Sequence, residues 1–171
     1  LTRLMDQYIT DELLREIAAK HASGNRLFMV TGNYDAQEPV VWNMGKIASI
    51  GTAEAMALYK KIIKAAVAIP VAFEPVPIEI EVNGIPKTEL HGDAGPVRYF
   101  YADSELVPPR YRNVGNIYTL LNKVFKPNVA PMEVKVAKIT TRAINEFTHT
   151  GMLTQLKIDW REARDHQIKF N

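Results

Sequence analysis

The stretch Ile78-Glu79-Ile80-Glu81-Val82, followed at once by Asn83-Gly84, constrains the fold of this chain more than any other feature. Strict alternation puts the branched apolar side chains on one side of an extended segment and the carboxylates on the other, as in a half-buried strand. Asn-Gly accepts the positive φ that a two-residue hairpin turn demands. The chain is therefore expected to return through Ile85 to Leu90 and to arrive at Leu90-His91-Gly92-Asp93-Ala94-Gly95. There an acid stands between small residues at the end of an apolar run.

The elements around this hairpin follow from caps and periodicity. Thr10 before Asp11 and Glu12 predicts a helix start, a hydroxyl cap followed by acids near the positive end of the dipole. Leu13, Leu14, Ile17 and Ala18 share one face of that helix, and Gly24 stops it. Leu27 to Thr31 reads as a buried strand and Val40-Val41-Trp42 as a second, with a turn shaped by Asp35 between them. Thr52 opens another helix, with Met56, Tyr59, Ile63, Ala66 and Val67 turned inward, Lys60, Lys61 and Lys64 outward, and Pro70 beyond its end. A helix is expected over 115–126 and another over 133–149. Gly151 is expected to interrupt before Leu153, Leu156 and Trp160 resume helical spacing, and Gln167 to Asn171 reads as a final strand.

This order predicts a layered α/β domain. With 171 residues, 47% of them hydrophobic, the chain can bury a real core. We expect residues 1–171 to form a single partial domain carrying a loop or helix insertion at 102–133. Partial, because the chain opens on Leu1 and closes inside an alternating run. A net charge of +2 gives no argument for nucleic acid. No apolar stretch approaches the roughly 20 residues of a membrane span, and no signal peptide stands in the sequence; the compartment stays open. The absence of cysteine removes disulfides, thiolate zinc sites and thiol catalysis together.

Few residues are placed to carry chemistry. Asp93 either shapes a turn by bonding its own backbone or stands clear of it as an acid or base. His91, two residues earlier on an extended segment, points to the same side and either bonds that carboxylate or packs locally. His21, His91, His149 and His166 lie far apart, without metal-ligand spacing. The only serines are Ser23, Ser49 and Ser104. Ser23 belongs to a helix end, and Ser49, in Ala48-Ser49-Ile50-Gly51, lacks the glycine two residues before it that a nucleophile elbow has. The apolar stripe Ile117, Leu120, Leu121, Val124 and Phe125, flanked by Lys123 and Lys126, either packs on the domain or touches a membrane surface.

Three segments in order carry a resemblance. The run from Arg26 to Gly45, the run from Ala65 to Val76 with its Ile69-Pro70 and Phe73-Glu74-Pro75, and Asp93-Ala94-Gly95 together resemble patatin-like phospholipases, bacterial members in particular. The likeness covers residues 8 to 101 well and the region after 138 weakly. It implies part of a three-layer α/β/α domain and an acyl hydrolase acting on a lipid or other carboxylic ester through a Ser–Asp dyad, with no metal or organic cofactor. By the same resemblance Asp93 is the general base, with His91, Ala94 and Gly95 beside it. The Gly-x-Ser-x-Gly nucleophile and the oxyanion loop belong to a segment before Leu1, so this chain alone is expected to be inactive. Ala94 departs from the glycine usual there. A methyl is disfavoured at that position if the backbone takes positive φ. The alternative is a degenerate, non-catalytic module that binds lipid or a protein partner.

Overall fold

A computed structural model describes residues 1–98, 118, 120 and 130–165. The chain divides into two compact units, Leu1–Val97 and Arg98–Asn171. The first is mixed α/β. Helices α1 (Thr2–Tyr8) and α2 (Asp11–Ala22) lead into strands β1 (Phe28–Asn33) and β2 (Glu38–Asn43). Helices α3 (Met44–Ala48) and α4 (Ala53–Ala66) follow, then β3 (Val76–Val82) and β4 (Ile85–Asp93). The strands form one antiparallel sheet in the order β2-β1-β4-β3. The strand that ends at Asp93 is therefore internal, paired with β1 on one side and β3 on the other.

Local chemistry accounts for these elements. Thr10 Oγ1 accepts from Leu13 N, and Thr52 Oγ1 from Ala55 N, so both expected caps form. Asn83 (φ 54°) and Gly84 (φ 79°) close the β3–β4 hairpin with both central residues at positive φ. On the other connection Asn33 Oδ1 accepts from Asp35 N and Ala36 N, folding the β1–β2 turn around its own side chain.

Leu14, Met44, Ala48, Tyr59, Ile62, Ala65, Val76 and Ile78 form one core cluster, which joins α2, α3 and α4 to a single face of the sheet. The inward stripe of α4 centres on Ile62 and Ala65, both fully buried. Sequence spacing puts Ile63, Ala66 and Val67 there. The stripe is turned by one residue because the helix settles on Val76 and Ile78 of the edge strand, and Val67 is left exposed. Helices α1 and α3 have no counterpart in the sequence reading. Both are short, and α3 is capped by Asn43 Oδ1, which accepts from Lys46 N. Pairing of Lys60 with Asp6 and of Lys61 with Glu79 ties α4 to α1 and to β3 at the surface.

In the second unit, α5 (Val136–Asp165) runs 30 residues through Gly151 without a break. The expected interruption is thus corrected. A single exposed glycine costs a helix about 1 kcal/mol, too little to stop one supported on both sides, and no atom of the described residues lies within 4 Å of its missing Cβ. Arg142 and Glu146 at i,i+4 and the Gln155–Asp159 bond, 2.8 Å, add support along that helix. The helix expected at 115–126 and the final strand at 167–171 lie outside the described residues. So does the apolar stripe, apart from Leu120, which is exposed. Among the described residues no helix is long and apolar enough to cross a membrane.

Candidate active site

Asp93 is the last residue of β4, opposite Thr31 on β1. Its backbone N–H donates to Ala68 O, 3.1 Å, just past the end of α4. Its Oδ1 accepts from Gly95 N at 2.7 Å. That is the turn-forming role open to any aspartate, and it also fixes the carboxylate. Among the described residues the second oxygen, Oδ2, has no hydrogen-bond partner, and the side chain is partly exposed. One oxygen is held and, among the described residues, the other is free.

Ala94 is buried, and its φ is not positive: among the non-glycine residues described, only Gln37, Val71 and Asn83 have φ above zero. A methyl is therefore unstrained at 94. The backbone reason for expecting glycine there does not apply to this chain.

His91 does not bond Asp93. It belongs to a buried network on the helix-covered face of the sheet. Trp42 Nε1 donates to Thr31 Oγ1 at 2.8 Å, and that oxygen lies 2.9 Å from His91 Nδ1. Glu89 Oε2 sits 3.6 Å from His91 Nε2 and accepts from Asn33 Nδ2 at 2.7 Å, while Lys87 Nζ pairs with Glu89 Oε1 at 2.8 Å. The Glu89 carboxylate favours the imidazole proton on Nε2, which leaves Nδ1 to accept from the Thr31 hydroxyl. Burial pushes the His91 imidazole below its usual range, against the opposing pull of Glu89. The hydrogen bond from Lys87 is the first cause holding the Glu89 carboxyl below its own range.

Thr31, His91 and Glu89 thus stand as hydroxyl, imidazole and carboxylate, the parts of a nucleophilic triad. Their setting is structural. Thr31 and His91 are both 0% exposed, so no substrate reaches the hydroxyl, and Trp42 already occupies its oxygen. A buried network of this kind specifies packing.

The opposite face carries Tyr34. A Cβ on Gly92 would lie 2.2 Å from Tyr34 Oη, and one on Gly32 would lie 3.3 Å from Tyr34 Cε1. The two glycines, side by side in register, make the seat for this ring. Tyr34 Oη is buried and has no hydrogen-bond partner among the described residues. Burial first, and the Asp93 charge second, push its phenol above the usual value. Asp35 does more than shape its turn: Oδ2 accepts from Leu90 N at 2.7 Å and so clamps β4 beside the site.

The other candidates are placed elsewhere. Ser23 Oγ donates to Lys20 O and Ser49 Oγ to Gly45 O, both at 2.8 Å as helix-end bonds, and Ser104 lies outside the described residues. A cavity of about 200 Å³ lies against the end of α2, lined by Ile17, Lys20, His21, Arg26, Leu27 and Gly45, and includes no residue of the Asp93 turn. Arg26 Nη1 there donates to His21 O and Asn25 O, closing the α2–β1 connection. Among the described residues no three His, Asp or Glu side chains converge as metal ligands.

Sequence reasoning missed Thr31, Trp42 and Tyr34. Their partners are cross-strand, and His91 stands 60 residues from Thr31. Paired glycines on adjacent strands, Gly32 and Gly92, were the available signal for a ring seated on the sheet. Comparison of the chain with protein-family models, with curated proteins and with solved structures gave no match.

Proposed function

We propose that this chain supplies the general base, Asp93, of a Ser–Asp acyl hydrolase acting on carboxylic esters, with the serine and the oxyanion donors contributed by a segment preceding Leu1. In this reading the sheet and its helices belong to a larger, three-layer, patatin-like α/β/α domain. The observation that carries the proposal is the divided carboxylate: Oδ1 held by Gly95 N at 2.7 Å, Oδ2 without a partner among the described residues at the end of an internal strand. A serine hydroxyl is a poor nucleophile until a positioned base takes its proton. A carboxylate with one oxygen fixed and the other open is positioned for that transfer. It passes the proton to the alkoxide that leaves as the acyl-serine ester forms, and the freed oxygen then takes a proton from the attacking water and returns it to the serine oxygen in deacylation. Backbone donors bind the developing oxyanion. No metal or organic cofactor has a part in the scheme. His91, sealed in its network, has none either.

The rival reading, a degenerate module binding lipid or a protein, rests on Ala94 and on the lack of an elbow serine in this sequence. The non-positive φ at Ala94 removes the backbone part of the first ground and leaves the second. The test is ester hydrolysis and fluorophosphonate labelling of the full-length protein beside Asp93→Asn. The variant is expected to lose roughly 10²- to 10⁴-fold in turnover, and this chain alone is expected neither to label nor to hydrolyse. Equal turnover by wild type and variant would sink the proposal and leave the binding module.

A further inference from the structure

The connection between α4 and β3 has two properties that the core does not need. First, residues 65–73, Ala-Ala-Val-Ala-Ile-Pro-Val-Ala-Phe, contain no polar or charged side chain, yet Val67, Ile69, Val71 and Phe73 are exposed at 44%, 50%, 58% and 61%. Second, Ile69-Pro70-Val71-Ala72 is a β-turn in which Ala72 N donates to Ile69 O at 3.2 Å and Val71 takes φ 71°. Proline at the second position suits such a turn, but the third position at positive φ calls for glycine. A β-branched residue there is strained. Strain of this kind persists where surrounding structure enforces it, and it gathers at functional sites.

The segment is also fixed. Ala68 N donates to Ala65 O, Phe73 N donates to Ile69 O, and Ala68 O accepts from Asp93 N. The last bond joins the apolar loop directly to the candidate base. We propose that the 67–73 loop is the acyl-binding surface of the site, with Ile69, Val71 and Phe73 contacting the hydrocarbon chain of an aliphatic carboxylic ester. The inference rests on the general-base reading of Asp93. An ester whose carbonyl is attacked beside Asp93 carries its alkyl chain away from that carbon, and this neighbouring surface offers apolar contact without a group to bind a charged or polar head. Val71 in place of glycine keeps a side chain where the turn geometry would discard it.

The experiment uses the full-length protein and p-nitrophenyl esters from acetate to decanoate. Wild-type kcat/KM is expected to rise with chain length by up to about fourfold per methylene that the loop takes out of water. Phe73→Ser and Ile69→Ser are expected to lower the decanoate-to-acetate ratio by roughly tenfold or more, the equivalent of losing two such methylenes. Val71→Gly is expected to lower the same ratio while raising the thermal midpoint by about 2 °C as turn strain is released. A ratio unchanged in all three variants overturns the inference, as does an equal loss on acetate and decanoate, which would make the loop a support for the fold. Asp93→Asn separates the two failures. If that variant is inactive and the ratio is unmoved, only the loop assignment falls. If it retains wild-type turnover, or the wild type has none, both fall.

Discussion

His91 and Asp93 lie two residues apart on the same face of β4, and the sheet treats them in opposite ways. His91 is wholly enclosed, with Thr31, Trp42 and Glu89 around its ring. Asp93, at the strand's end, keeps one carboxylate oxygen free among the described residues and part of its side chain in water. The difference comes from the neighbours. Opposite His91 stand Asn33 and Val76, both buried under the helices. Beyond Asp93 the strand gives way to a turn. Nearness in sequence to an acid does not recruit a histidine into its chemistry; the depth of each position decides.

Stability measurements can break this contrast. The largest effect is expected from His91→Ala, which empties a fully buried site and strips Thr31 of a partner, at about 2–4 kcal/mol. Chemical denaturation of the variant checks it, and a loss below about 1 kcal/mol would mean that the network is dispensable. Gly92→Ala comes next. Its methyl would meet Tyr34 Oη at 2.2 Å, so the ring must leave its seat, at about 1–3 kcal/mol. Gly92→Ala combined with Tyr34→Ala should recover part of that loss if the clash is the cause. Asp93→Asn is expected to change stability by no more than about 0.5 kcal/mol, in contrast with its effect on turnover.

Acidification sharpens the same contrast. His91 and Glu89 both hold their protons less tightly in the fold than in the open chain. The unfolded state therefore binds more protons at low pH, and stability falls as pH falls. For His91 the contribution is complete above its unfolded value near 6.5 and is lost as pH drops through the lower folded value. Glu89 adds a second decline that begins below about 4.5. Denaturation midpoints measured from pH 8 downward should show the first decline in wild type and lose it in His91→Ala. Persistence of that decline in the variant would assign it to another group.

Much of this fold was legible because its signals are local. The Thr10 and Thr52 caps, the Ile78–Val82 alternation and the Asn83-Gly84 turn each act within four residues, and each appears where sequence placed it. Asp93 was legible as a carboxylate at a strand end; that one of its oxygens stays open was not. The rest depends on contacts that sequence spacing does not encode. Strand order sets Thr31 beside His91, and packing on β3 turns the α4 stripe by one residue. Gly151 misled because propensity is a small term against the support of a long helix. Val71 gave no warning, since a valine after proline carries no sign of positive φ.

The Trp42 indole lies 5.5 Å from the His91 ring, tilted by 59°, and gives its N–H to the threonine that the histidine also touches. An imidazolium quenches indole emission far more than a neutral imidazole does. Trp42 is therefore an optical gauge built into the sheet, whose light reports the charge of His91. Trp160, in the other compact unit, can be replaced by phenylalanine to leave that signal alone.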